Sequence, residues 1–132
     1  MIEINNTTKF KINKKELIAV AEKFFRMRKI KNKNISVAFI SDGAIKKLNF
    51  IYRKKNKATD ILSFTGEGDF FGEIVISPAQ IKRQAAELKT SFKKELLFIF
   101  VHGLLHLAGY NDETEKDRLK MIELGEEFFC EK

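Results

Sequence analysis

Tryptophan is missing from this chain, and cysteine and proline occur once each. The lone Cys130 stands two residues from the end and can staple nothing, which suits a reducing compartment. With no internal repeat and no Pro/Gly/Ser-rich linker, the 132 residues are expected to form one domain, 1–132. Long apolar runs are also lacking. The longest, Leu96 to Ala108, is interrupted by His102, Gly103 and His106 and is too short to span a bilayer. The first residues, Met1-Ile-Glu-Ile-Asn-Asn, show neither the basic nor the apolar region of a signal peptide. A cytoplasmic protein with no membrane role is therefore expected.

What is present is phenylalanine, 13 in all, within a hydrophobic fraction of 44% that argues against disorder. Charge is unevenly spread. Residues 1–66 carry 16 Lys/Arg against 5 Asp/Glu, a balance of +11, whereas residues 67–132 carry 9 against 13, a balance of −4. A basic surface for a polyanion and a solvated lysine-rich surface both account for this.

Ile2 to Ile4 reads as a first strand. Asn13 and Glu16 form a capping-box pattern ahead of a helix carrying Leu17, Val20, Ala21, Phe24 and Phe25. A basic stretch, Arg26 to Lys33, follows. Ile35, Val37 and Phe39 alternate as in a strand, and Ser41 or Asp42 caps a short helix through Leu48. A polar loop is expected over Tyr52 to Lys57. Two strands, Ile61 to Phe64 and Phe70 to Ile76, flank a turn with Gly66 and Gly68. Pro78, behind Ser77, opens a helix expected to bury Ile81, Ala85 and Leu88. Thr90 or Ser91 starts the next helix and Gly109 stops it. The last helix, about Glu113 to Phe129, is expected to gather Leu119, Ile122 and Phe129 on one side. This order gives an α+β domain with a four-stranded mixed sheet and about five helices. Phe64, Phe70 and Phe71 are expected in the core.

The two histidines stand four residues apart inside the apolar helix, so both imidazoles lie on one face, one turn above the other. Such a pair can reach one metal ion at the end of this central buried helix; hydrogen-bonded core histidines are the alternative. Beyond Gly109, the turn Tyr110-Asn111-Asp112 can bring a carboxylate back onto the same ion. A helical zinc peptidase would carry Glu at position 103 as its base, and here that residue is Gly, which takes no proton.

The segment His102-Gly-Leu-Leu-His106-Leu-Ala-Gly-Tyr-Asn-Asp112 resembles the H-G-x-L-H-L-x-G-Y-D-H signature of the YbeY family of bacterial rRNA-maturation metal-dependent endoribonucleases. Upstream, Leu48-Asn-Phe-Ile-Tyr-Arg53 is similar to the family's L-N-x-x-(Y/F)-R, and Ala58-Thr-Asp-Ile-Leu-Ser-Phe64 to P-T-D-V-L-S-F, with Ala for Pro. Gly72-Glu-Ile74 matches G-(D/E)-I. One departure stands out: the family's last signature histidine falls on Asp112, and its preceding Asp on Asn111. Asp112 is either the third ligand or a cap for the last helix, with Glu115 three positions on.

The resemblance implies single-strand-specific RNA cleavage in ribosomal RNA maturation, at the small-subunit 3′ end, and in ribosome quality control. It implies one divalent metal ion at His102, His106 and Asp112, with zinc expected and a harder ion admitted by the Asp112 oxygen. Arg53 is expected to be catalytic or to anchor the phosphate. Lys54, Lys55 and Lys57 are expected as substrate contacts, together with Asp60 and Ser63, while Arg26 to Lys33 offer further phosphate contacts. Expected partners are RNA and the small ribosomal subunit, with neither DNA nor a membrane among them. Whether water or the RNA 2′-OH attacks is left open. Two other readings remain: an RNA- or ribosome-associated binding module with a structural or weakened metal site, and a metal-dependent hydrolase of another substrate.

Overall fold

The computed structural model of the chain describes residues 1–111 and 113–130. Its elements run β1 (Ile2–Asn6), α1 (Lys14–Met27), β2 (Asn34–Phe39), α2 (Asp42–Arg53), β3 (Ile61–Thr65), β4 (Phe70–Ile76), α3 (Pro78–Leu88), α4 (Phe92–Leu107) and α5 (Glu115–Cys130). One sheet forms in the order β1-β2-β4-β3. β1 and β4 pair with β2 in parallel, and β3 returns antiparallel to β4. The expected mixed four-stranded sheet with five helices is therefore present.

Because side chains alternate across a sheet, the register decides which layer each strand residue meets. Leu62 lies opposite Val75, and both pack on Ile45 of α2. Ile74 and Ile76, with Val37 and Ile4, face the other way into the main core with α1 and α4. So α2 covers one face and α4 lies at the centre of the other. α4 touches α1, α3, α5, β3 and β4, which explains why its sequence is apolar nearly all round. Its start is capped by Ser91, whose side chain accepts from Lys94 N, and Gly109 follows its end at φ 106.

Several sequence expectations need correction. α2 does not stop at Leu48 but continues to Arg53, so Tyr52 and Arg53 stand on a helical turn instead of a loop. Of residues 49 to 53 only Asn49 is buried, so no apolar period marks this extension. Leu88 is 64% exposed at the last position of α3, where the chain turns through Lys89 in the left-handed region. In α5 the buried positions are Met121, Gly125 and Phe128, while Leu119 and Phe129 are exposed and Ile122 is half-buried. That helix carries two apolar sets one residue apart, and Gly125, facing Phe98, marks the set that packs on α4. Phe70 is exposed at the start of β4, not in the core. The cap of α5 is Thr114, whose hydroxyl accepts from Asp117 N at 3.0 Å.

Candidate functional site

β3 is an edge strand, and among the described residues no strand pairs with its outer side. Bonds from Ser77 N to Asp60 O (3.0 Å) and from Gly66 N to Phe71 O (3.1 Å) set the antiparallel alternation. By that alternation the N–H and C=O groups of Ile61, Ser63 and Thr65 point outward, away from β4. A cleft of about 880 Å³ wraps this open edge, reaching helix residues on both faces of the sheet.

On one side stands α4. His102 and His106 are half-buried and line the cleft, with ring centroids 5.0 Å apart and ring planes at 74°. Phe98 lies one turn before, its ring 6.5 Å from that of His102. Gly103 sits where helix and sheet meet closely. A Cβ there would fall 2.6 Å from Ile61 Cδ1, 3.2 Å from Ile74 Cδ1 and 3.4 Å from Ser63 Oγ. The glycine at 103 thus has a packing cause: a Cβ there would make the end of the Ile61 side chain move.

On the other side stands the end of α2. Tyr52 and Arg53 line the cleft, and the Tyr52 ring meets Phe64 edge-to-face, 5.1 Å between centroids at 67°. The helix ends as Lys54 turns into the left-handed region at φ 60. Asn49, 1% exposed, steadies the segment that follows: its Nδ2 donates to Lys57 O at 2.9 Å. Its Oδ1 is buried without a hydrogen-bond partner. The cleft is closed by Gly109, Tyr110 and Asn111 and by Arg118 and Ile122 of α5. Arg28 Nη1 donates to the Tyr110 hydroxyl at 3.0 Å, bracing that turn against α1.

Asp60 enters the cleft from the start of β3 and is tied behind it. Gln84 Nε2 donates to Asp60 Oδ2 and to Glu95 Oε2, at 3.1 Å each. Glu95 is 6% exposed, and this amide compensates part of the cost of its burial. On the α2 side of α3, Asp42 accepts from Ser77 Oγ at 2.7 Å and pairs with Arg83 at 2.7 Å. Burial opposes the charge on Asp42, but the Ser77 hydroxyl and the Arg83 guanidinium outweigh it and hold the carboxyl below its usual range.

The donors fit a metal ion in part. Two imidazoles on successive turns can converge on one ion through one nitrogen each. Among the described residues no third His, Cys, Asp or Glu joins them. Asp112, the expected third ligand, lies outside the described residues.

A family model described as Endoribonuclease YbeY matches residues 3–131 of the chain. The chain belongs to the YbeY family. It is 42% identical over 119 residues to the Endoribonuclease YbeY of Mycoplasmopsis synoviae, covering 81% of this chain and 76% of that protein. The one from Phytoplasma australiense is 36% identical over 133 residues, with 95% and 90% covered. A Thermotoga maritima protein solved in solution superposes with a TM-score of 0.68 at 33% identity, covering 97% of this chain and 86% of that one.

Of the residues singled out from the YbeY motifs, Arg53, Asp60, Ser63, His102 and His106 meet in the cleft. Lys54, Lys55 and Lys57 are exposed just beyond Arg53 and do not line it. The basic stretch after α1 is elsewhere: Arg28 braces Tyr110, and the Lys33 ammonium donates to the Gly68 carbonyl. Arg118 went unnoticed in the sequence because it is one of three cations, with Lys116 and Lys120, in an otherwise acidic helix. Tyr52 went unnoticed as a site residue because the helix was expected to end before it.

Proposed function

We propose that the cleft around the β3 edge is where this chain, an endoribonuclease by family, cuts single-stranded RNA. The observation that carries this reading is the meeting of His102 and His106 with Arg53 across one open strand edge. We further propose that His102, His106 and Asp112 hold one divalent ion, zinc or a harder ion. Thr114 supplies the α5 cap, so that helix does not need Asp112 for the purpose. When bound, such an ion supplies Lewis acidity toward a phosphoryl oxygen and lowers the pKa of bound water toward neutrality.

The chain's own residues do the rest. Arg53 offers a planar fork to the phosphate, where negative charge grows during cleavage. Lys54, Lys55 and Lys57 attract the flanking backbone, with an affinity that weakens as salt rises. The outward N–H groups of β3 can donate to RNA oxygens without reading a base, and Asp60, held by Gln84, can accept a hydrogen bond from a hydroxyl. Peptidase chemistry of the H-E-x-x-H kind has no base here, since position 103 is Gly and carries no carboxylate. The RNA is taken to be ribosomal, at the 3′ end of the small-subunit rRNA, with quality control of the ribosome as the wider role. The setting is the cytoplasm; among the described residues no helix is long and apolar enough to cross a membrane.

The test is purification without chelator, metal analysis, and single-stranded RNA cleavage by the wild type and by Arg53→Ala, His106→Ala and Asp112→Ala. Arg53→Ala is expected to bind metal and lose cleavage, and His106→Ala to lose both. Full metal occupancy in Asp112→Ala would remove that residue from the ligand set.

A further inference from the structure

We propose that Tyr52 is a nucleobase-stacking residue, so that the cleft holds one unpaired base on its ring beside the phosphate held by Arg53. This rests on the RNA-cleavage reading above and extends it to a specific contact. Tyr52 lies on the last turn of α2, lines the cleft, and is 63% exposed. An aromatic placed there to fill the core would be buried. Instead, its edge-to-face contact with Phe64 fixes the ring while leaving much of its surface open to the cleft. Phe64 comes from β3 itself, so the platform is anchored to the strand whose free edge leads to Ser63 and Gly103.

Charge decides what the ring faces. In the lining of the cleft Arg53 and, from α5, Arg118 stand against one acid, Asp60, and Lys54, Lys55 and Lys57 are exposed just beyond Arg53. An apolar peptide has no use for that field, whereas a polyanion with planar rings matches both the cations and the tyrosine. A duplex keeps its base faces stacked away, so the ring selects single strands. Stacking on a π-face discriminates little among bases, so this subsite should accept all four.

The experiment uses the full chain with chelator present, so that bound RNA is not cut. The probe is the shortest fluorescent single-stranded oligoribonucleotide that binds with full affinity, so that it cannot slide in the cleft. Affinity is measured for the wild type, Tyr52→Phe, Tyr52→Leu and Tyr52→Ala, with intact RNA and with RNA carrying one abasic nucleotide moved along the strand. Tyr52→Phe should bind like the wild type, and the Leu and Ala variants about ten-fold more weakly. At one position an abasic nucleotide should weaken wild-type binding by a similar factor and leave Tyr52→Ala unaffected. Wild-type affinity in Tyr52→Leu, which still covers Phe64 but has no π-face, overturns the proposal in favour of packing. So does an equal abasic penalty at every position in wild type and Tyr52→Ala. A wild type that neither binds nor, with metal restored, cuts RNA removes the RNA-cleavage reading as well. A peptide held in the cleft and not displaced by the oligoribonucleotide also overturns the proposal.

Discussion

Gly103 of α4 lies so close to Ile61 of β3 that a Cβ on the glycine would stand 2.6 Å from Ile61 Cδ1. The contact joins the histidine helix to the edge strand of the cleft, one residue from His102. Gly103→Ala should therefore displace the Ile61 side chain, whose flexible end is the atom a Cβ would meet. The repacking and the gain of about 1 kcal/mol in helix propensity oppose each other, so the urea midpoint should move little, with an unchanged slope. RNA cleavage should fall all the same, because Ile61 and Ser63 both line the cleft. Gly103→Glu should not create a peptidase; it brings a carboxylate to a buried position and should lower the melting temperature.

Asn49 couples a buried side chain to the segment beyond Arg53 through its 2.9 Å bond to the Lys57 carbonyl. Asn49→Ala leaves that carbonyl short of a donor and should cost about 1–3 kcal/mol in chemical denaturation. Affinity for single-stranded RNA should drop as well, because the lysines lose their fixed path. Asn49→Asp should be worse, as it brings a charge to a buried position.

Arg118 lines the cleft from α5. If it meets one RNA phosphate, Arg118→Ala should reduce the slope of log affinity against log salt by about 0.7. Melting temperature should barely change, since the side chain is exposed. An unchanged slope would mean that the RNA path does not reach α5.

Much of this arrangement was legible in the sequence, and the misses have physical causes. Strand alternation and helix caps located all nine elements, and the His102/His106 spacing located the helix face that lines the cleft. Tyr52 was misplaced because the last turn of α2 buries only Asn49, with no apolar period to mark it. The buried face of α5 was misread because Met121 and Phe128 compete with Ile122 and Phe129, and only the partner helix chooses between the sets. The close approach at Gly103 had no signal either. Its cause is a contact with β3 and β4, which sequence spacing does not reveal.

The Asp42 carboxyl is held below its usual range by Ser77 and Arg83 against the opposing effect of burial. Its contribution to stability is thus present in full above the unfolded carboxylate value of about 3.9 and is lost as pH falls through the lower folded value. Asp42→Asn should be less stable than the wild type at neutral pH, with the gap closing in acid below about pH 4. Urea midpoints of both proteins from pH 7 downward measure this, and a gap that stays constant would sink the assignment.

The central claim is that cleavage of RNA in the cleft depends on an ion held by the two α4 histidines. It is tested most directly by the cleavage rate of a single-stranded RNA before chelation, after chelation, and after divalent metal is returned, in the wild type and in His106→Ala. The account predicts loss of wild-type cleavage on chelation, recovery on adding metal, and no recovery in His106→Ala. Cleavage that persists in the chelated wild type and in His106→Ala, once contaminating nuclease is removed, would contradict it.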